Sequence, residues 1–206
     1  KGEWLLDALK RIGHSMIPSN CVLNKTLTGL GATHSEIHSK RSSIIIEPNV
    51  PVILGKLDDN ENLEAVYAKC TPYSLKKYLQ MDIQYKKIIT TPESFKKIRK
   101  VAEELRINIY KTFFCLFDEC EKVVQDVDYR RKISQPIYDF FLFEQKALVS
   151  ATPLFMSHPE LEKQGFQTIK IMPDFVYKKD LTLIVTNSYY TWLLRVLDSL
   201  KESKHI

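Results

Sequence analysis

Short apolar runs alternate with amphipathic stretches along most of this chain. Some runs, such as Ile44-Ile45-Ile46, contain no polar residue, which is typical of strands buried on both faces of a parallel sheet. The runs predict strands at Cys21–Leu23, Ser43–Glu47, Ala65–Lys69, Lys87–Thr90, Thr112–Phe117, Ala147–Ser150 and Thr168–Met172. Because helical stretches lie between them, the pattern predicts βαβ units and an α/β fold with a doubly wound, mainly parallel sheet.

The stretches between the strands carry apolar residues at helical spacing. They predict helices at Val50–Lys56, Thr71–Gln80, Pro92–Leu105, Glu119–Val124 and Pro136–Gln145. Pro92 suits the first position of its helix, and Glu93 is favourable in the first turn. A further helix is predicted from Trp4 to Ile12, and Gly13 ends it.

Three segments are predicted from this order of elements. An N-terminal helix occupies residues 1–15, an α/β domain spans 16–177, and a strand and helix form a tail over 180–206. The tail strand is expected at Leu181–Val185, and the tail helix carries one apolar stripe from Tyr189 to Leu200. One strand and one helix cannot enclose a core, so the tail either packs on the main domain or begins a second one.

The composition is that of an ordinary globular domain, with 44% hydrophobic and 27% charged residues. No apolar run approaches the ~20 residues that cross a bilayer, and the four cysteines lack the spacing of a disulfide framework. We therefore expect no membrane partner and a cytoplasmic location. The net charge is +5, and residues 71–100 hold eight basic side chains against two acidic ones. Such a cluster either binds a polyanion or forms a solvated lysine face.

Two carboxylates follow the apolar strand that ends at Phe117. Asp118 and Glu119 would lie at the carboxyl end of a central strand, where open α/β sheets bind their ligands. In a nucleotide hydrolase, such an aspartate holds Mg²⁺ and the glutamate deprotonates the attacking water. Taken alone, the pair also fits a helix N-terminus, where acidic side chains are favourable.

A glycine-rich loop, Thr28–Thr33, follows the first predicted strand. In a P-loop (G-x-x-x-x-G-K-[ST]), the glycines let backbone N–H groups surround phosphate, the lysine reaches the phosphates, and the Ser/Thr hydroxyl contacts Mg²⁺. Gly31 and Thr33 fit this pattern, whereas Thr26 replaces the first glycine and Ala32 replaces the lysine. The loop therefore predicts a nucleotide site that lacks its usual cation.

Further motifs follow in a definite order. Ile44–Asn49 leads into Glu-Pro-Asn, Ile88–Phe95 leads into Thr-Thr-Pro-Glu-Ser, and Ala147–Pro153 leads into Ser-Ala-Thr-Pro. Together with the glycine loop and Asp-Glu-Cys-Glu, this order resembles the first RecA-like domain of DEAD/DEAH-type (superfamily 2) helicases and related translocases. The resemblance extends from Asn20 to Met172. It implies a doubly wound sheet of the RecA-like P-loop NTPase type.

The resemblance implies a role for each matching residue, with ATP and Mg²⁺ as cofactors. The phosphates would be held by Thr28, Gly29, Leu30, Gly31 and Ala32. Mg²⁺ would be held by Thr33 and Asp118, and Glu119 would be the general base. Ser150 and Thr152 would couple the nucleotide state to movement between domains. Nucleic acid, DNA rather than RNA, would contact Pro48, Asn49, Thr90, Thr91, Lys96 and Lys97. A second RecA-like domain in the same polypeptide would complete the site, so we expect little ATP hydrolysis without it.

The missing lysine leaves two interpretations open. Removing one preorganised donor costs about 10²–10³ in rate, so Ala32 is expected to weaken ATP binding and to slow hydrolysis more. Lys25, which precedes the loop, either folds back to supply the charge or is a solvated residue before a turn. The rival to an ATP-dependent helicase is a decayed P-loop domain that serves as a non-catalytic scaffold for nucleic acid or protein. A packaging or DNA-modification motor is a third alternative.

Two other groups of residues have ordinary explanations. His34 and His38 are spaced like metal ligands on a helix, but no third ligand is evident, so solvated or capping histidines are expected. Tyr189, Tyr190 and Trp192 could stack on bases, although their helical spacing favours packing.

Overall fold

The computed structural model describes residues 5–26, 29–120, 134–151, 159–172 and 188–202. The chain divides into two compact units, Lys1–Pro173 and Asp174–Ile206. The strands described in the first unit are β1 (Cys21–Asn24), β2 (Ser43–Ile46), β3 (Leu63–Val66), β4 (Lys87–Thr90), β5 (Phe114–Phe117), β6 (Gln145–Ser150) and β7 (Gln167–Lys170). They form one sheet in the order β3-β4-β2-β5-β6-β1-β7, and every pair is parallel. The prediction of an α/β fold with a parallel sheet is confirmed.

The helices of the same unit precede or connect these strands. They are α1 (Leu5–Arg11), α2 (Ala32–Ile37), α3 (Val50–Asp58), α4 (Pro72–Gln80), α5 (Phe95–Glu104), α6 (Ile109–Thr112), α7 (Ser134–Phe141) and α8 (Pro159–Lys163), with a 3₁₀ turn at Pro92–Ser94. The unit Asp174–Ile206 contains α9 (Tyr189–Glu202), which confirms the predicted tail helix. The predicted tail strand, Leu181–Val185, lies outside the described residues. Among the described helices, none combines the length and the apolar content that crossing a bilayer requires.

Two apolar clusters cover the two faces of the sheet, because successive residues of a strand point to opposite sides. Ile44, Ile46 and Phe117 pack in one cluster with the apolar sides of α4, α5 and α7. Ile45 and Leu116 pack in the other with α1, α2 and α3. Both faces of the central strands are therefore buried, which explains their continuously apolar sequences. Each large aliphatic side chain buried in this way contributes about 1.5–3 kcal/mol.

The observed bounds differ from the predicted ones where side chains bind the backbone. The third strand was expected at Ala65–Lys69 but ends at Val66, because the carbonyls of residues 67, 68 and 70 accept hydrogen bonds from Lys97 Nζ instead of pairing in the sheet. The fifth strand begins at Phe114, two residues late, because residues 109–112 form α6. In α6, Thr112 Oγ1 donates to Asn108 O at 2.9 Å.

Candidate nucleotide-binding site

The ends of β1, β2 and β5 bring the predicted motifs to one edge of the sheet, which we call the carboxyl edge. Backbone hydrogen bonds extend each strand by one residue. Lys25 N donates to Ser150 O at 2.8 Å, and Asp118 N donates to Ile46 O at 3.0 Å. In strand order, β6 separates β1 from β5. Residues that follow β1 and β5 are therefore about 10 Å apart in the backbone, a distance that long side chains can bridge.

Asp118 is the centre of a buried group at this edge. Lys25 Nζ donates to Asp118 Oδ1 at 3.0 Å, and Thr33 Oγ1 donates to Asp118 Oδ2 at 2.5 Å. Lys25, Thr33 and Asp118 are exposed by only 6%, 6% and 3%. The interpretation of Lys25 as a solvated residue before a turn is therefore wrong. Lys25 lies beside the glycine loop and Thr33 lies in it, and both bind the carboxylate of Asp118, which is distant in the sequence.

The glycine loop has the backbone conformation that glycine permits. Gly29 and Gly31 have φ angles of 75° and 81°, in the left-handed region. Thr26, at the position of the missing first glycine, also has a positive φ of 47°. Two hydrogen bonds hold it there: Thr26 N donates to Asn24 Oδ1 at 3.2 Å, and Thr26 Oγ1 donates to Ile171 O at 2.6 Å. These contacts offset the roughly 1–2 kcal/mol that a left-handed conformation costs a residue with a Cβ atom.

The remaining loop positions differ in how they are placed. Thr28 lies outside the described residues. Leu30 packs against the apolar cluster that contains α1 and α2, and Leu30 O accepts a hydrogen bond from Leu5 N at 3.0 Å. Ala32 is only 2% exposed and belongs to the same cluster. The position of the missing lysine therefore contributes to packing.

Glu119 is held by a contact that the sequence did not predict. Asn49 Nδ2 donates to Glu119 Oε2 at 2.9 Å, across the neighbouring strands β2 and β5. Glu119 has a φ angle of 48°, and Glu119 N donates to Asp118 Oδ1 at 2.9 Å. Asn49 N also donates to Glu47 Oε1 at 3.2 Å, and Glu47 is itself buried. Asn49 thus lies beside the predicted general base as well as in the predicted nucleic-acid motif. The strand order is the signal that would have revealed this contact.

The predicted coupling residues are described only in part. Ser150 is buried at the end of β6, between β1 and β5, and its carbonyl binds the backbone of Lys25. Thr152 lies outside the described residues. The described half of this motif is therefore in contact with the Lys25 segment.

The predicted nucleic-acid residues are placed unequally. Thr90 is fully buried and donates from Oγ1 to Val66 O at 2.7 Å, while Thr91 is 5% exposed and donates to Ser94 Oγ at 3.0 Å. Both hydroxyl groups are buried and hydrogen-bonded within the protein, so little of either side chain is exposed for a ligand to contact. Pro48 is partly exposed at the turn that precedes α3.

Neighbouring lysines on α5 also differ. Lys97 Nζ donates to the carbonyls of Tyr67, Ala68 and Cys70 at 2.9–3.0 Å, so all three ammonium protons have acceptors. Lys96 is exposed. Lys87, counted above as part of a basic surface, is only 4% exposed. The basic surface of residues 71–100 is consequently smaller than the sequence indicated.

A second buried charged group lies at the opposite, amino edge of the sheet, where Ser43, Lys87 and Phe114 begin β2, β4 and β5 side by side. Glu36, fully buried, accepts hydrogen bonds from Arg41 and from Ser43 Oγ. Lys87 Nζ donates to Glu36 O, Ser39 Oγ and Ser43 Oγ at 2.7, 2.8 and 3.2 Å. Burial lowers the pKa of Lys87 to about 8, Glu36 opposes this shift, and Arg41 adds to it. The sequence did not reveal this group because Lys87 lies 51 residues from Glu36.

The histidine pair at the end of α2, with His34 in the helix and His38 directly after it, has a local explanation. His34 and His38 stack with ring centroids 4.2 Å apart, and His38 Nδ1 is 2.8 Å from His34 O. Burial and the charge of His38 lower the pKa of His34. Within the described ranges, no three histidine, cysteine, aspartate or glutamate side chains are arranged to hold a metal ion.

Comparisons with known proteins find similarity only to solved structures. No protein-family model matches the chain, and no curated protein matches it. Chains of solved structures do match, 42 in number. One is the helicase domain of Hef from Pyrococcus furiosus, with 16% identity and a TM-score of 0.45 over 82% of this chain and 40% of that one. The chain thus spans less than half of the helicase domain that it matches. Function is therefore inferred from the residues of the carboxyl edge.

Proposed function

We propose that this chain is the nucleotide-binding RecA-like domain of a helicase- or translocase-type ATPase that acts on nucleic acid. One observation carries the proposal: Lys25, Thr33 and Asp118 form a single hydrogen-bonded group at the carboxyl edge, and Glu119 follows Asp118 directly. A carboxylate, a hydroxyl, an ammonium group and a glycine loop are the groups that a site for a magnesium-bound nucleotide needs.

The residues present fit ATP and Mg²⁺. Mg²⁺ prefers oxygen ligands and is commonly bound by one or two protein oxygens together with phosphates and waters. Thr33 Oγ1 and Asp118 Oδ2 are hard oxygen atoms in direct hydrogen-bond contact, so both would be available to one ion. The left-handed conformations of Gly29 and Gly31 suit a loop whose N–H groups face phosphate. When bound, Mg²⁺ would neutralise charge on the phosphate oxygens.

Glu119 and Asn49 would act on the attacking water. The Glu119 carboxylate would accept a proton from the water, and Asn49 would fix the carboxylate through the hydrogen bond to Oε2. Asn49 also lies in the motif expected to face nucleic acid. Nucleic acid that contacts Asn49 would therefore alter the orientation of the Glu119 carboxylate through this one side chain.

Isothermal titration tests the nucleotide claim. We expect heat from Mg·ATP binding, with a dissociation constant weaker than that of a P-loop with its lysine. Asp118→Asn should weaken this binding strongly, because it removes a charged metal ligand. Absence of heat at millimolar Mg·ATP, in protein that includes the expected second RecA-like domain, would contradict the proposal.

The nucleic-acid claim can be tested on α5. Lys96 is exposed and Lys97 is bound to three carbonyls. Lys96→Met should lower the slope of log affinity against log salt by about 0.7–0.9, the value for one phosphate contact. Lys97→Met, the matched control, should leave the slope unchanged and loosen residues 67–70 instead. Equal slopes for wild type and Lys96→Met would remove Lys96 from the proposed interface. Comparing single-stranded and duplex DNA and RNA would identify the preferred nucleic acid.

A non-catalytic scaffold is the second candidate function. Ala32, buried at the position of the lysine, favours it, because this position contributes packing and no charge. ATP hydrolysis stimulated by nucleic acid in the whole protein would eliminate the scaffold. A packaging or DNA-modification motor would share the nucleotide site and differ in binding duplex rather than single strands.

A further inference from the structure

The glycine loop cannot obtain its cation from the usual position. Ala32 is 2% exposed and packs in the apolar cluster that includes Leu5 and Leu9. Lys25 lies seven residues earlier, immediately after β1, and its side chain is buried in the site. Residue 32 carries no charge, but the ammonium group of Lys25 lies beside the Asp118 carboxylate. This positive charge comes from the residue that follows β1, before the loop.

Lys25 retains capacity to bind a further group. A lysine ammonium carries three donors. Asp118 Oδ1 is the one acceptor for Lys25 Nζ within the described part of the chain. Lys87, the comparably buried lysine of the amino edge, donates instead to three oxygens at 2.7–3.2 Å. The two lysines are similarly buried and carry the same charge, yet within the described residues Lys25 Nζ has one acceptor and Lys87 Nζ has three.

We infer that Lys25 takes the place of the P-loop lysine and changes partners when nucleotide binds. Without nucleotide, Lys25 neutralises Asp118. With Mg·nucleotide, Asp118 and Thr33 turn to the metal, and the Lys25 ammonium turns to phosphate oxygens. This exchange leaves no buried charge without a partner, which a low-dielectric site requires. The inference rests on the proposed nucleotide function and adds to it the residue that supplies the missing charge.

The test replaces Lys25 with methionine, which keeps the length of the side chain and removes its charge. Lys87→Met is the matched control, because it removes an equally buried lysine at the other edge of the sheet. Affinity for Mg·ATPγS is measured by titration, and folding of each variant is checked by circular dichroism. We expect Lys25→Met to lose about 10- to 100-fold in affinity, as for a hydrogen bond to a charged group. Lys25→Arg should lose less, and Lys87→Met should keep wild-type affinity.

A second measurement uses the wild-type protein, so it does not depend on the folding of a variant. The side-chain ¹⁵N resonance of Lys25 should shift when Mg·ATPγS is added, whereas that of Lys87 should not. A shift at Lys25 alone supports the exchange of partners. Wild-type affinity in folded Lys25→Met, or an unchanged Lys25 resonance in nucleotide-bound protein, overturns the inference and leaves the proposed function standing. A wild-type protein that binds no Mg·ATPγS overturns both.

Discussion

The two edges of the sheet each bury a lysine beside a carboxylate, yet the two groups are built differently. At the amino edge, Lys87 Nζ donates to three oxygens and Glu36 binds Arg41 and Ser43. At the carboxyl edge, within the described residues, Lys25 Nζ has one acceptor, Asp118. A network whose donors and acceptors are matched fixes the positions of the elements that contribute to it, whereas a sparsely bound cation is available to a ligand.

Backbone conformation also differs between the two charged groups, although Asn20, which precedes β1 at the amino edge, has a positive φ of 52° as well. Thr26 and Glu119, both at the carboxyl edge, have φ angles of 47° and 48°. Residues with a Cβ atom are held in this region at a cost of about 1–3 kcal/mol, and such residues concentrate at functional sites. Glu36, Ser43 and Lys87 lie in a helix and two strands with ordinary conformations. These contrasts favour a structural role for the group at the amino edge and support the proposed ligand binding at the carboxyl edge.

The largest expected effect is on hydrolysis at the carboxyl edge. Glu119→Gln removes the proposed general base but keeps an oxygen that can accept the hydrogen bond from Asn49. We expect ATP hydrolysis by the whole protein to fall by about 10²- to 10⁴-fold, with affinity for Mg·ATP unchanged. Steady-state kinetics and titration measure the two quantities. A variant that hydrolyses ATP at the wild-type rate would show that Glu119 is not the base.

The next effect is on stability at the amino edge. Glu36→Gln leaves Arg41 and Lys87 without their buried counter-charge. Removing one partner of a buried ion pair costs about 3–5 kcal/mol, so the free energy of unfolding should fall by that amount in urea denaturation. The folded variant should bind Mg·ATP as the wild type does. A loss of nucleotide affinity as large as that of Asp118→Asn would show that the amino edge also contributes to nucleotide binding.

Much of the fold and part of the site follow from local sequence patterns. The continuously apolar run at Ile44-Ile45-Ile46 predicts a strand buried on both faces, and the structure confirms it in β2. Asp118 and Thr33 belong to motifs that can be recognised from a few consecutive residues. Such features depend only on hydrophobic periodicity and on the types of residue that are adjacent in the sequence.

The remainder depends on the order of strands, which no local pattern specifies. Asn49 and Glu119 meet only because β2 and β5 are neighbours. Lys25 reaches Asp118 only because a single strand separates β1 from β5, so sequence alone left its two interpretations open. Lys87 looked like a surface lysine because its partner, Glu36, lies 51 residues away. Non-local partners decide whether a charged side chain is solvated, and they are known only once the topology is known.

A smaller effect would test the contact between Asn49 and Glu119. Asn49→Ala removes the hydrogen bond to Oε2 and leaves the carboxylate less well oriented. A hydrogen bond to a charged group contributes about 1.5–3 kcal/mol, so hydrolysis without nucleic acid should slow by about 10- to 100-fold, with Mg·ATP affinity retained. Asn60→Ala is the matched control, because Asn60 Nδ2 binds Lys56 O beyond the far end of α3. Equal rates for the two variants would show that Asn49 does not position the base.

The smallest effect is a dependence of stability on pH at the amino edge. Burial lowers the pKa of Lys87 from 10.5 to about 8, with Glu36 opposing the shift and Arg41 adding to it. Between pH 8 and 10.5 the unfolded chain therefore binds more protons at this residue than the folded chain does, so the free energy of unfolding rises with pH. One proton limits this slope to about 1.4 kcal/mol per pH unit.

Lys87→Met removes this titration and leaves the other groups in place. The difference in unfolding free energy, wild type minus Lys87→Met, should therefore increase as the pH is raised from 8 towards 10. Urea denaturation of both proteins at several pH values in this window measures it. A constant difference would mean that Lys87 titrates alike in the folded and unfolded chains. The amino edge would then hold its lysine by hydrogen bonds at no electrostatic cost.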